Sequence, residues 1–154
     1  MSAPPRFFLS VCVCVKNELP YLADFIEHYL AQGVDHVYIV DNGSTDGGPE
    51  SLPEYGGGAA FTTQVTVLRD ARDMGIFDSD AGGQGHSRLL TENLFMRLRN
   101  ETEWAIVVDA DEFMFGKNGH SLRTYVQSLP ADVNRVYVFW NIITPTPLSD
   151  TTAD

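Results

Sequence analysis

Cysteine and basic residues are what this sequence has little of. Its two cysteines, Cys12 and Cys14, stand two positions apart, so in a strand their side chains share one face. Neighbours placed in that way do not form a disulfide readily, and two thiols alone make a poor metal site. Both are expected to be reduced packing residues, in a reducing and therefore cytoplasmic setting. Ten lysines and arginines face 21 aspartates and glutamates, a formal net charge of -11. That balance argues against nucleic acid or an anionic membrane as the main partner. A phosphate-bearing ligand would need a metal ion or backbone N–H groups to offset the repulsion. Long apolar runs are absent too, and none approaches the roughly 20 residues of a membrane span. The short run "FFLSVCVCV" at 7–15 has no small-residue cleavage site before a mature domain and serves better as a strand. No internal repeat or long linker divides the 154 residues, which suit a single domain over 1–154. Asn42-Gly-Ser44 and Asn100-Glu-Thr102 match the glycosylation pattern, a short match that carries weight only in a secreted chain.

What is present alternates in character. Residues 7–15 are nearly all apolar and β-favouring, the mark of a strand buried on both faces. After "KNELP", Pro20 opens a helix through about Gln32, with Tyr21, Leu22, Phe25, Ile26, Tyr29 and Leu30 as its apolar face. Gly33 stops it. "HVYIV" is a second strand ending at Asp41, and the glycine-rich residues 47–60 read as loop. "QVTVL" is a third strand, 69–83 a polar loop, and 84–99 a helix with Leu89, Leu90, Leu94, Phe95 and Leu98 on one face. "WAIVV" is a fourth strand, 121–129 a short helix bearing Leu122, Tyr125, Val126 and Leu129, and "RVYVFWNII" a fifth strand. A polar tail, 144–154, closes the sequence. Strands alternating with helices predict an α/β domain with a mainly parallel central sheet covered on both faces.

In such sheets ligands bind beyond the carboxyl ends of the strands. Here those ends carry Lys16-Asn17-Glu18, Asp41-Asn42, Asp70 and Asp109-Ala110-Asp111, so four strands deliver polar or acidic groups to one edge. Asp109 and Asp111, two apart in extended geometry, can face one hard cation, and magnesium or manganese takes one or two carboxylates plus phosphate oxygens. The plain alternative is a pair of solvated acids at a strand end. In "DNGSTDG" the glycines permit tight turns, while Ser44, Thr45 and Asp46 can cap backbone N–H groups. Glu18 can act as a helix-start carboxylate or as a ligand contact.

Taken together, "VKNE", an amphipathic helix, "VYIVDNGSTDG" and a helix-preceded "WAIVVDADEF" resemble the nucleotide-binding half of a GT-A-fold glycosyltransferase. The nearest group is family 2-like, with the metal motif Asp-x-Asp-Glu-Phe. The resemblance covers about residues 7–143 and implies a Rossmann-like fold and a nucleoside-diphosphate sugar, UDP-linked by preference, as donor. It implies that Asp41 and Asn42 contact base and ribose, with Glu18 in the same pocket. Lys16, Asn17 and Ser44 lie on the same strand ends and join that set. Asp109 and Asp111 would hold Mn2+ or Mg2+, Asp109 also reaching the ribose and Asp111 being the more direct metal ligand. Gln84 and, one turn on, Arg88 would line the donor site. Glu112 is expected to turn away and serve structure.

The sequence departs from that pattern in two places. Many relatives have paired aspartates where this chain has Asp41-Asn42. The glycine-rich segment expected after the tryptophan strand is replaced by "WNIITPTPLSD". The acceptor half, which carries the base for a glycan or other hydroxyl acceptor, has no counterpart to assign. His86 and His120 stand near the site in sequence but read as surface residues. The leading expectation is thus a metal-dependent glycosyltransferase. The alternatives are a nucleotide-sugar-binding module or truncated enzyme lacking the acceptor half, without turnover, and a haloacid-dehalogenase-type phosphatase. The last would use Asp109 as nucleophile and Asp111 as acid/base. Against it, "VVDAD" ends the fourth strand, not the first, and is followed by Glu112-Phe113.

Overall fold

The computed structural model of the chain describes residues 4–52, 63–68, 94 and 98–139. Among these residues four parallel strands form a sheet: β1 (Phe7–Val15), β2 (His36–Asp41), β3 (Val65–Leu68) and β4 (Thr102–Val108), in the order β3-β2-β1-β4. The expected α/β class, with a parallel Rossmann-like sheet, is what the chain adopts. β1 is central because its nine residues are the most continuously apolar in the sequence and can be covered on both sides. Its alternate side chains feed two clusters. Leu9, Val11, Val13 and Val15 pack with Val37 and Ile39 of β2 against helix α1 (Leu19–Ala31), through Leu22, Phe25, Ile26 and Tyr29. Cys12 joins Tyr38 and Val40 on the other face, under Leu94 and Leu98, which are helical and one turn apart. Leu22 and Phe25 are fully enclosed, and truncating either to Ala should cost about 3–5 kcal/mol.

Helix α1 begins one residue before the expected Pro20 and stops at Ala31. Tyr21, expected on its apolar face, is 60% exposed instead. It lies at the margin of the buried stripe, which Leu22, Phe25, Ile26 and Tyr29 already fill. Gly33 ends the helix with φ +83, and a Cβ there would come within 2.7 Å of the Arg123 side chain, so both the turn and the close approach require glycine. Arg123 belongs to a second helix, α2 (Leu122–Gln127), capped by Ser121 Oγ accepting from the Thr124 amide. Its guanidinium donates to the Gly33 carbonyl and pairs with Asp35 Oδ1 at 2.6 Å, while Gln32 Oε1 accepts from Gly116 N and Leu122 N. The segment after β4 is therefore fastened to the end of α1. Of the expected apolar face of α2 only Leu122 is buried; Tyr125 is 46% exposed.

The expected fifth strand is not formed over its described part. Residues 133–139 have no strand pairing, and Tyr137, Val138 and Phe139 are exposed. Arg135 Nη1 reaches Tyr137 Oη at 3.1 Å, as side chains two apart can on extended backbone. A strand also needs a neighbour about 4.8 Å away to satisfy its backbone groups, and none lies there among the described residues. Gln84, Arg88, Asp70 and His86, most of the expected helix 84–99, and residues 140–154 fall outside the described residues.

Candidate donor-binding site

The parallel register decides what meets at the carboxyl edge. Val15 of β1 lies beside Asp41 of β2, and Val13 lies beside Val108 of β4. The loops leaving β2 and β4 therefore emerge on either side of the one leaving β1, roughly 10 Å apart by strand spacing. Residues 16–18, 41–48 and 109–112 carry six carboxylates between them and a single cation, Lys16.

The first two loops are stitched to each other. Asn17 sits in the left-handed region, φ 60, a conformation asparagine tolerates better than most residues. Its amide donates to Ser44 Oγ at 3.0 Å, and its Oδ1 accepts from the Thr45 amide at 2.7 Å. Asp41 Oδ1 accepts from the Ser44 amide at 2.9 Å, closing the turn on itself. Asp46 reaches furthest: Oδ2 accepts from Leu19 N at 3.0 Å and Oδ1 from Gly48 N at 2.9 Å. It thereby caps α1 from 27 positions away, a task sequence order would give to Glu18, whose side chain makes no capping bond. The Leu19 amide, with help from the Gly48 amide, holds the Asp46 carboxyl below the usual carboxylate range, against the opposing effect of burial. Asn17, Ser44 and Asp41, read from sequence as ligand contacts, thus spend polar atoms on loop structure. Among the described residues the side chains of Lys16, Glu18 and Asn42 have no hydrogen-bond or ion-pair partner, and Lys16 is exposed.

The third loop departs from its expected geometry. Asp109 and Asp111 do not continue the strand. β4 ends at Val108, and Glu112 N donates to Asp109 O at 3.1 Å, closing a four-residue turn. Glu112 Oε2 accepts from the Asp109 amide at 3.0 Å, so the side chain folds back on the turn as half of a capping box. The structural role expected of Glu112 holds, and its bond is the reason the chain turns. Asp109 and Asp111 are both exposed, and among the described residues their carboxylates have no hydrogen-bond partner. Among the described residues no three His, Cys, Asp or Glu side chains converge. A closed protein cage is therefore not on offer there. In type, the carboxylate oxygens of Asp109 and Asp111 are donors that magnesium and manganese take alongside phosphate and water.

Two residues missed by sequence reasoning hold this turn from behind. Tyr29 Oη donates to the Glu112 carbonyl at 2.9 Å and accepts from the Met114 amide at 3.1 Å; His28 Nε2 donates to the Met114 carbonyl at 2.7 Å. Burial pushes the Tyr29 hydroxyl up to about 12, with the Met114 amide acting the other way and the Glu112 charge adding to the rise, so it stays protonated. Phe113 packs edge-on to Phe25 and His28, ring centroids 6.1 and 5.1 Å apart. The available signal was a hydroxyl inside an otherwise apolar helix face, since a buried tyrosine needs a partner.

Residues 10–79, a segment that holds most of β1, with α1, β2 and their stitched loops, match the family model described as glycosyl transferase family 2. Among solved structures, the crystal structure of S. aureus TarS 1-349 is similar at 22% identity with a TM-score of 0.45, covering 69% of this chain and 28% of that one. The chain thus spans well under two thirds of that structure. Among curated proteins no match is found. No helix among the described residues is long and apolar enough to cross a membrane.

Proposed function

We propose that this chain is the donor-binding part of a metal-dependent glycosyltransferase that takes a nucleoside-diphosphate sugar and passes the sugar to a hydroxyl acceptor. The observation that carries the reading is the division of labour at the carboxyl edge. Asn17, Asp41, Ser44, Asp46 and Glu112 are engaged in building the loops, while Lys16, Glu18, Asn42, Asp109 and Asp111 have polar side-chain groups without a partner among the described residues. Five such groups on adjacent strand ends are available to a ligand.

In this reading Asn42 and the second oxygen of Asp41 hydrogen-bond the base and ribose, UDP being the favoured nucleotide. Glu18 stands beside them. Lys16 offers the only positive charge of these loops to the donor. Asp109 and Asp111 would hold Mn2+ or Mg2+, which when bound offsets the charge on the nucleoside-diphosphate leaving group. Gln84 and Arg88 are proposed to line the same site. A glycan or other hydroxyl acceptor would approach from beyond this edge.

A calorimetric and thermal-shift series of UDP, GDP and their sugars, with and without Mn2+, tests the proposal. Metal-dependent binding that disappears in Asp111→Ala supports it. If neither metal nor any nucleotide binds or shifts the melting temperature, the donor-site reading is wrong. Donor hydrolysis by the same sample separates a turning-over transferase from a nucleotide-sugar-binding module.

A further inference from the structure

The Asp109–Glu112 turn has few fastenings of its own: one backbone bond and the Glu112 carboxylate folded onto the Asp109 amide. Among the described residues, the further hydrogen bonds that hold it come from α1. Tyr29 is fully buried, and its hydroxyl sits between the carbonyl of Glu112 and the amide of Met114, bracketing the residue that follows the acids. His28, the next residue on the same helix, holds the Met114 carbonyl, and its ring stands edge-on to Phe113. Three consecutive peptide groups after the carboxylate pair are thus tied to two neighbouring side chains of one helix. That helix has its other end capped by Asp46, from the loop after β2. Its two ends therefore touch the loops on both sides of the proposed pocket.

We infer that Tyr29 and His28 are positioning residues: through the Glu112–Met114 backbone they set where Asp109 and Asp111 present their carboxylates, and α1 keeps that loop in register with the loop after β2. The inference rests on the donor-site reading for its consequence, but the ordering of the turn stands on the hydrogen bonds alone. Tyr29→Phe keeps the ring in the core and removes both bonds. Tyr38→Phe is the matched control. It deletes a comparable hydroxyl, which donates to Glu101 Oε2 at 2.9 Å on the opposite face of the sheet, remote from the turn.

Two readouts are needed. Hydrogen exchange of the 109–116 segment should speed up at least about tenfold in Tyr29→Phe while β1 and β2 keep their protection, and should not change in Tyr38→Phe. Affinity for UDP with Mn2+ should fall by about 10–100-fold in Tyr29→Phe, as when the groups behind a metal ligand are removed, and stay unchanged in Tyr38→Phe. His28→Leu should reproduce both effects more weakly, and His28→Gln, whose amide can still donate to Met114 O, should restore them. Should Tyr29→Phe fold poorly, the His28 pair decides in its place. Unchanged exchange in the segment, or a rise spread evenly over the whole sheet, overturns the inference. So does equal UDP affinity in both tyrosine variants when the wild type binds. If wild-type protein binds no nucleotide, the donor-site reading fails instead, and the exchange measurement still decides whether these side chains order the turn.

Discussion

The backbone amide of Asn17 donates to Ser44 Oγ at 3.0 Å, and the next residue of that loop, Thr45, returns a bond from its own amide to Asn17 Oδ1 at 2.7 Å. The ends of β1 and β2 are therefore one piece of structure. The loop after β1 adopts a left-handed residue to make this possible, and the side chain at that residue is the acceptor.

That double role makes Asn17 sensitive in a separable way. Asn17→Ala keeps the left-handed backbone at a cost and loses the acceptor, so it should destabilise by about 1–2 kcal/mol. Asn17→Gly removes the steric cost while losing the same bond, and should lie closer to wild type. Both should weaken nucleotide binding, because the Lys16 and Asn42 backbones hang on this join. Urea unfolding midpoints for the three proteins give the order. Ala at or above Gly in stability would contradict the account.

Asp46 is expected to govern the start of α1. Asp46→Ala leaves the Leu19 and Gly48 amides without their acceptor, so hydrogen exchange in the first turn of the helix should accelerate while its last turn, at Gln32 and Gly33, stays protected. Asp46→Asn retains an acceptor oxygen and should restore most of the protection. Glu18→Ala, by contrast, should leave it untouched, since Glu18 makes no capping bond.

Acid should unfold the protein in two stages. Burial holds the His36 imidazole below its ordinary 6.5, with Arg6 adding to the effect and Glu101 opposing it; its Nε2 pairs with Thr66 Oγ1 while Nδ1 has no partner. A histidine depressed in the fold binds fewer protons there than in the unfolded chain. Its contribution is therefore complete above about pH 6.5 and is lost as pH falls toward the folded value. Asp35 follows at lower pH. Burial pushes its carboxyl up, but the Leu9 and Phe8 amides and the Arg123 guanidinium outweigh it and hold the group below 3.8. Its contribution is full above about pH 4 and disappears as pH falls through the folded value. Melting temperatures from pH 3 to 8 should show His36→Gln flattening the upper stage and Asp35→Asn only the lower one.

How far all this was legible in the sequence depends on the range of each interaction. β1, α1 and β2 announce themselves because their apolar periods are local and their ends are marked by Pro20 and Gly33. The strand-end acids were legible as a group because parallel sheets expose one edge. What was hidden is non-local. Nothing near Leu19 says that residue 46 will cap it, and nothing near Tyr29 says that its hydroxyl faces the chain some 85 positions on. Asp109 and Asp111 were expected on extended backbone because alternation is a property of strands. The bond from Asp109 N to Glu112 Oε2 ends the strand instead. "RVYVF" has a strand's composition and lacks a described neighbour, and composition cannot supply one.

The acids after β4 should separate cleanly by what each does in the absence of ligand. Glu112 is bonded within the turn, so Glu112→Ala should loosen it and cost stability, by about 1–2 kcal/mol, while Glu112→Gln keeps an acceptor and loses less. Asp111 is exposed, has no hydrogen bond among the described residues, and lies beside Asp109 and Glu112 in sequence. Asp111→Asn should therefore leave the metal-free protein within about 0.5 kcal/mol of wild type, and shift it toward higher rather than lower stability by relieving like-charge repulsion. The same substitution should abolish the extra stabilisation that Mn2+ with UDP confers. Opposite signs in the two measurements are the signature of a residue kept for binding at the expense of the fold. A stability loss in metal-free Asp111→Asn would mean that the carboxylate is structural and that the cation seat lies elsewhere.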